Sequence, residues 1–199
     1  IFPVYLLCSR YFKKSYSLLG ATLFIFEPRL IGNSLLGTPE SMYIFLMASL
    51  LFLFLSNNFK KIYLAFAIVA LLAIVRYEGL LMIIPISIVF FIRFRKQKKD
   101  LTKYIICISV FVLILVPMAY LKNETMGQDG FVSHIAAGSD KFFHSKFHTV
   151  EEFLYLGSVN LIKYAGWVQI PSFIIFVPLG IIFIFKSLDY KKIIIILSI

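Results

Sequence analysis

The chain has 199 residues, 60% of them hydrophobic and only 15% charged, with a formal net charge of +10 at pH 7. Soluble domains carry roughly 25% charged residues, so this composition points away from a water-soluble fold. The surplus of cations does not point to nucleic acid either. The basic residues sit in short stretches between apolar runs, with no nucleic-acid-binding motif beside them.

Taken in order, the apolar runs cover residues 1–9, 16–26, 42–55, 62–75, 79–92, 104–121 and 170–185, with a last one opening at 193. They are apolar on every side, without the alternation of outward-facing barrel strands, so they read as helices. Pro85, Pro117 and Pro178 fall inside runs and are expected to mark kinks. Cys8 and Cys107 also lie in apolar runs and read as small packing residues, not as a disulfide or metal pair. The chain opens at Ile1 without Met or a charged leader and stops inside an apolar run, so the expectation is a piece of a longer protein.

The segments between the runs alternate in charge. Arg10/Lys13/Lys14, Lys60/Lys61, the cluster from Arg93 to Lys103, and Lys186/Lys191/Lys192 form one set, holding 14 of the 20 Lys+Arg but only Asp100 and Asp189 of the acids. The other set comprises Glu27 to Glu40, the turn Arg76-Tyr77-Glu78, and residues 122–169. Lys and Arg accumulate in cytoplasmic loops. The expected fold is therefore an all-α, polytopic transmembrane helical bundle with its acidic loops facing out. It divides into a helical region with an outward polar vestibule (1–121), an extracytoplasmic loop with an interfacial helix (122–169), and C-terminal helices (170–199). Such a protein belongs in the cytoplasmic membrane, or in the ER membrane of a eukaryote.

Lengths sharpen the picture. A helix rises about 1.5 Å per residue and a crossing needs roughly 20 residues. Lys61 to Arg76 and Glu78 to Arg93 are both too short to span, at about 22 Å each. The turn at Arg76 is thus expected to lie sunk below the outer surface, and Lys14 to Glu27 gives the same result. Glu40 to Lys60, by contrast, is long enough for a full crossing at about 30 Å. Glu27, Arg29, Arg76 and Glu78 are then at depths where lipid exposure costs several kcal/mol each. They either pair as ion pairs within the bundle or line a water-filled recess that receives a charged substrate.

The run Glu27-Pro28-Arg29-Leu30, then Thr38-Pro39-Glu40-Ser41 opening a span, then Arg76-Tyr77-Glu78-Gly79-Leu80-Leu81 between two short spans, resembles the GT-C class of membrane glycosyltransferases. The protein-O-mannosyltransferase and aminoarabinose-transferase type is the subset it looks most like, over residues 1–93. The resemblance implies transfer of a sugar from a polyprenyl-phosphate donor to a protein, lipid or glycan at the extracytoplasmic face. It also implies a catalytic carboxylate in a first outer loop, which would precede Ile1. Within the chain, Arg76 and Arg29 suit a lipid-linked phosphate, since guanidinium offers planar, bidentate, permanently charged recognition. Glu78, Glu27 and Glu40 could orient those arginines, bind sugar hydroxyls or hold a divalent cation. The rival reading is a secondary transporter or lipid flippase, which would share the buried charges and short helices.

The segment 122–169 offers fewer signals. Residues 149–167 show helical spacing with Thr149 as N-cap, Glu151 and Glu152 in the first turn, and Tyr164 and Trp167 as headgroup-level anchors. His144, His148 and Glu151 share a helical spacing, but without a supporting motif they read as surface residues and no metal site is assigned. Asn123-Glu124-Thr125 is a chance sequon near a span end.

Overall fold

A computed structural model describes residues 1–94, 100–127, 131–133, 150–168 and 182. The regular structure among them is entirely helical. The chain divides into two compact units, residues 1–133 and 134–197.

In the first unit, α1 (Phe2–Cys8) and α2 (Lys14–Ile25) are followed by α3 (Pro28–Leu35), α4 (Glu40–Phe54) and α5 (Phe59–Val75). A 3₁₀ turn (Tyr77–Met82) then leads into α6 (Ile83–Phe94), and α7 runs over Asp100–Met126. In the second unit, α8 covers Val150–Val168, carrying Glu151 and Glu152 in its first turn as expected. Its expected cap, Thr149, and the histidines 144 and 148 lie outside the described residues, as do the apolar runs from 170 and from 193 and the proline at 178.

The central helix is α5, which packs against α4, α7 and the 3₁₀ turn. Ile62, Ala65, Phe66, Val69, Ala70, Leu72 and Ala73 are at most 1% exposed, so it is enclosed on most of its circumference. Alanines let neighbouring helices approach closely, as membrane helices require. Around Phe66 an aromatic cluster ties the helices together. Phe54, Phe90 and Tyr104 all lie within 6.4 Å of it, ring centre to ring centre, and the Tyr104 hydroxyl meets Ser87 Oγ at 2.9 Å.

On α7 the inward stripe is narrow: Cys107 is buried, and Phe111 nearly so. The opposite side is just as apolar but open, with Leu113 72% and Val116 55% exposed. A helix apolar all round, exposed on one side, suits lipid better than water. Among the described residues two helical segments, Tyr77–Phe94 and Leu101–Thr125, are long and apolar enough to cross a membrane.

Several boundaries differ from the sequence expectation, each for a local reason. The stretch between Glu27 and Glu40 holds a helix that hydropathy does not reveal. Glu27 caps it, its Oε2 accepting from Leu30 N–H at 2.7 Å, and Pro28 occupies the first turn. The helix ends on Gly37 at φ +66°, with Thr38 N–H donating to Asn33 O and Gly37 N–H to Ser34 O. That is the Schellman arrangement, which favours glycine in the left-handed position. Pro85 lies in the first turn of α6, where its missing N–H removes no bond within that helix, while Pro117 is inside α7 as expected. Finally α7 continues through Asn123-Glu124-Thr125 to Met126.

The leg from Glu40 needs correction. Its 20 residues were counted as one crossing, but α4 stops at Phe54 and 55–58 form a turn. The helical part is 15 residues, about 22 Å, no longer than its neighbours.

Candidate functional site

The hairpin of α4 and α5 sets the N-terminus of α4 beside the C-terminus of α5. At the first end stands Glu40, held there by the turn after α3. At the second stands Arg76, whose extended backbone (φ −146°, ψ 133°) stops α5 before the chain restarts as the 3₁₀ turn. Their side chains meet: Arg76 Nη1 donates to Glu40 Oε1 at 3.1 Å. From the other side Glu78 takes two bonds from the same guanidinium, Nη2 to Oε1 at 3.0 Å and Nε to Oε2 at 3.3 Å. One arginine is clamped by two carboxylates, and the trio carries a net charge of −1.

Gly79 makes the turn possible. A Cβ at that position would lie 2.5 Å from the Leu72 carbonyl carbon and 2.7 Å from Ala73 N. The turn folds directly onto the last turn of α5, and only a residue without a side chain can do so. Tyr43, one helical turn along α4 from Glu40, comes within electrostatic range of both Glu78 and Arg76. In the sequence Gly79 stands within the turn motif without a role of its own, and Tyr43 is not marked by any motif. The signals were there: glycine directly after the charged pair, and an aromatic hydroxyl three residues from Glu40 on one helix face.

More than a third of each of the three side chains is open. In water such ion pairs contribute little to stability, roughly 0–1 kcal/mol; what they fix is geometry. The guanidinium is cationic at every physiological pH. Three of its five N–H donors are used in the clamp.

Glu27 is not hydrogen-bonded to this trio. Glu27 spends its carboxylate on the N-terminus of α3. Arg29 is in the first turn of α3, and its side chain lies outside the described residues. No group of three or more metal-ligating side chains suited to a cation occurs among the described residues.

The depth of the trio can be read against α7. Lys103 near its start lies over the Phe59 ring at the start of α5, 3.8 Å from the ring centre. Tyr104 beside it meets Phe66, so α5 and α7 run in the same direction, and α7 continues to Met126 for more residues than α5 does to Val75. Beside the trio an apolar cleft of about 360 Å³ opens between α1, α2, α3 and α4, with Ile25, Leu30, Ile44 and Phe45 in its walls. Ser34 and Ser41, hydrogen-bonded to each other at 2.8 Å, form its polar edge next to Glu40.

No protein-family model, curated protein or solved structure matches the chain.

Proposed function

We propose that this chain is a helical membrane glycosyltransferase of the GT-C type, using a polyprenyl-phosphate sugar at the extracytoplasmic face. The observation that carries the reading is the Glu40–Arg76–Glu78 trio. Three short helical elements converge to hold a permanent cation in fixed orientation. Intramembrane ionisable groups of this kind serve substrates more often than packing.

In this reading the chemistry follows from charge. As the bond between sugar and phosphate breaks, negative charge grows on the departing phosphate. A cation already oriented by two carboxylates stabilises that charge without reorganising. The N–H donors of Arg76 outside the clamp face the phosphate, while the carboxylates suit sugar hydroxyls. The neighbouring cleft is apolar enough for a hydrocarbon chain.

The test is Arg76→Lys in the full-length protein, assayed for release of polyprenyl phosphate and for folded yield. Lysine keeps the charge and loses the fork. Turnover should fall roughly thirty- to a thousand-fold while the protein still inserts and folds. Normal turnover with reduced yield would make the trio a structural ion pair. Movement of the intact lipid-linked sugar between leaflets, with no bond broken, would replace the transferase reading with the flippase one.

A further inference from the structure

At the opposite end of the first unit, Arg10 and Lys61 form no salt bridge among the described residues. The turn between α1 and α2 and the turn between α4 and α5 come together there. Arg10 of the first turn and Lys61 of α5 converge on a single ring, that of Phe52. The guanidinium carbon is 4.9 Å from the ring centre and the ammonium 5.9 Å. Arg10 Nε is shielded from solvent and donates to no group among the described residues. Lys13, Lys14 and Lys60 flank the pair in sequence, and neither α2 nor α5 has an acidic residue in its first turn.

Two like charges drawn to one ring repel each other, and attraction to the ring face does not remove that repulsion. A shared anion does. The two helix starts add partial positive charge to the same place, so lysines there deepen an attraction that Asp or Glu would ordinarily satisfy. Phe52 is the apolar floor, and the cations are the rim. That pairing of an apolar floor and a cationic rim fits a ligand with an anionic head and a hydrocarbon body.

We infer that Arg10 and Lys61, set around Phe52, form a binding site for the phosphate headgroup of an anionic phospholipid. The inference rests on the membrane reading of the helices but not on the transferase reading. The end of the bundle opposite the Arg76 trio is thereby held by the lipid itself.

The experiment uses the full chain in detergent, with thermal unfolding followed as phosphatidylglycerol or phosphatidylcholine is added. Phosphatidylglycerol should raise the midpoint by several degrees more than phosphatidylcholine. Arg10→Gln with Lys61→Gln should abolish most of that difference. Lys13→Gln with Lys14→Gln, which removes the same charge from the same end, should leave most of it. Equal losses in the two double variants would mean diffuse attraction and overturn the site. Equal stabilisation by the two lipids would overturn it as well. Inorganic phosphate matching the effect of phosphatidylglycerol would show a soluble anion as the occupant and overturn the lipid assignment. A double variant that fails to fold is checked by native mass spectrometry of the unmodified chain. Phosphatidylglycerol adducts that persist on delipidation support the site, and loss of all adducts alike counts against it.

Discussion

Two arginines at opposite ends of the same bundle are satisfied in opposite ways. Arg76 is gripped by carboxylates, Glu40 and Glu78, and remains partly open. Arg93, in the last turn of α6, turns instead to backbone. It donates to the carbonyls of Phe54 and Ser56, the latter at 2.6 Å, and to Asn57 Oδ1 at 2.8 Å. Those carbonyls belong to the end of α4 and the turn behind it, and a helix C-terminus leaves its last carbonyls without partners. A cation there completes the hydrogen bonding and meets the negative end of the helix dipole. The Arg93 arrangement closes a fold. The Arg76 arrangement fixes a charge in a half-open place where the fold gains little from it, and this separates a cap from a candidate site.

Substitutions at the two ends test that distinction. The largest effect is expected at Gly79, since a Cβ there meets backbone and not a movable side chain. Gly79→Ala should destabilise by about 3 kcal/mol, at the upper end of overpacking losses. It should also displace Arg76 and Glu78 together, so that thermal midpoint and turnover fall in one variant. An unchanged midpoint would show that the turn does not pack on α5 as described.

Arg93→Ala comes next. Removing a charged donor from carbonyls next to the buried Leu55 and Ser56 should lower stability by about 2 kcal/mol. Turnover per folded molecule should stay as it was. If denaturant midpoints are unaltered and turnover drops, Arg93 is more than a cap and the contrast between the ends collapses. The smallest effect is expected for Glu27→Ala, which deletes the N-cap of α3 for roughly 1 kcal/mol. Its activity should be retained, because Glu27 does not reach the trio; a loss of turnover to match that of Arg76→Lys would return it to the site.

Much of this was legible in the residues. The all-round apolar runs gave the helices of the first unit, because nothing but a helix satisfies its own backbone in such a stretch. Charge alternation along the chain became charge separation in space. Arg10, Lys61 and Arg93 gather at one end of the first unit, while Glu40 and Glu78 meet through Arg76 at the other. The pairing of Arg76 with Glu78 follows from their spacing at a tight turn. Glu40 was harder to place, since hydropathy cannot show that Leu55 and Ser56, though buried, have left the helix. A crossing measured from Glu40 to Lys60 includes the turn 55–58 and so puts Glu40 at the wrong level. The helix α3 was hidden because only eight residues long and mixed in polarity, although Glu27-Pro28 and Gly37 frame it. The cap made by Arg93 depends on contacts almost forty residues apart, which no local pattern encodes.

In the proposed reading the two ends of the first unit lie on opposite sides of a bilayer. Single cysteines at Leu36, which is 78% exposed beyond the trio, and at Asn57, exposed in the turn capped by Arg93, address it directly. In sealed right-side-out vesicles, with Cys8 and Cys107 replaced by serine, an impermeant maleimide should label Leu36→Cys at once. Asn57→Cys should react only after the vesicles are opened. Labelling of both positions from the same side would contradict the account, because it would put the Arg76 trio and the Arg93 cap on one face of the membrane.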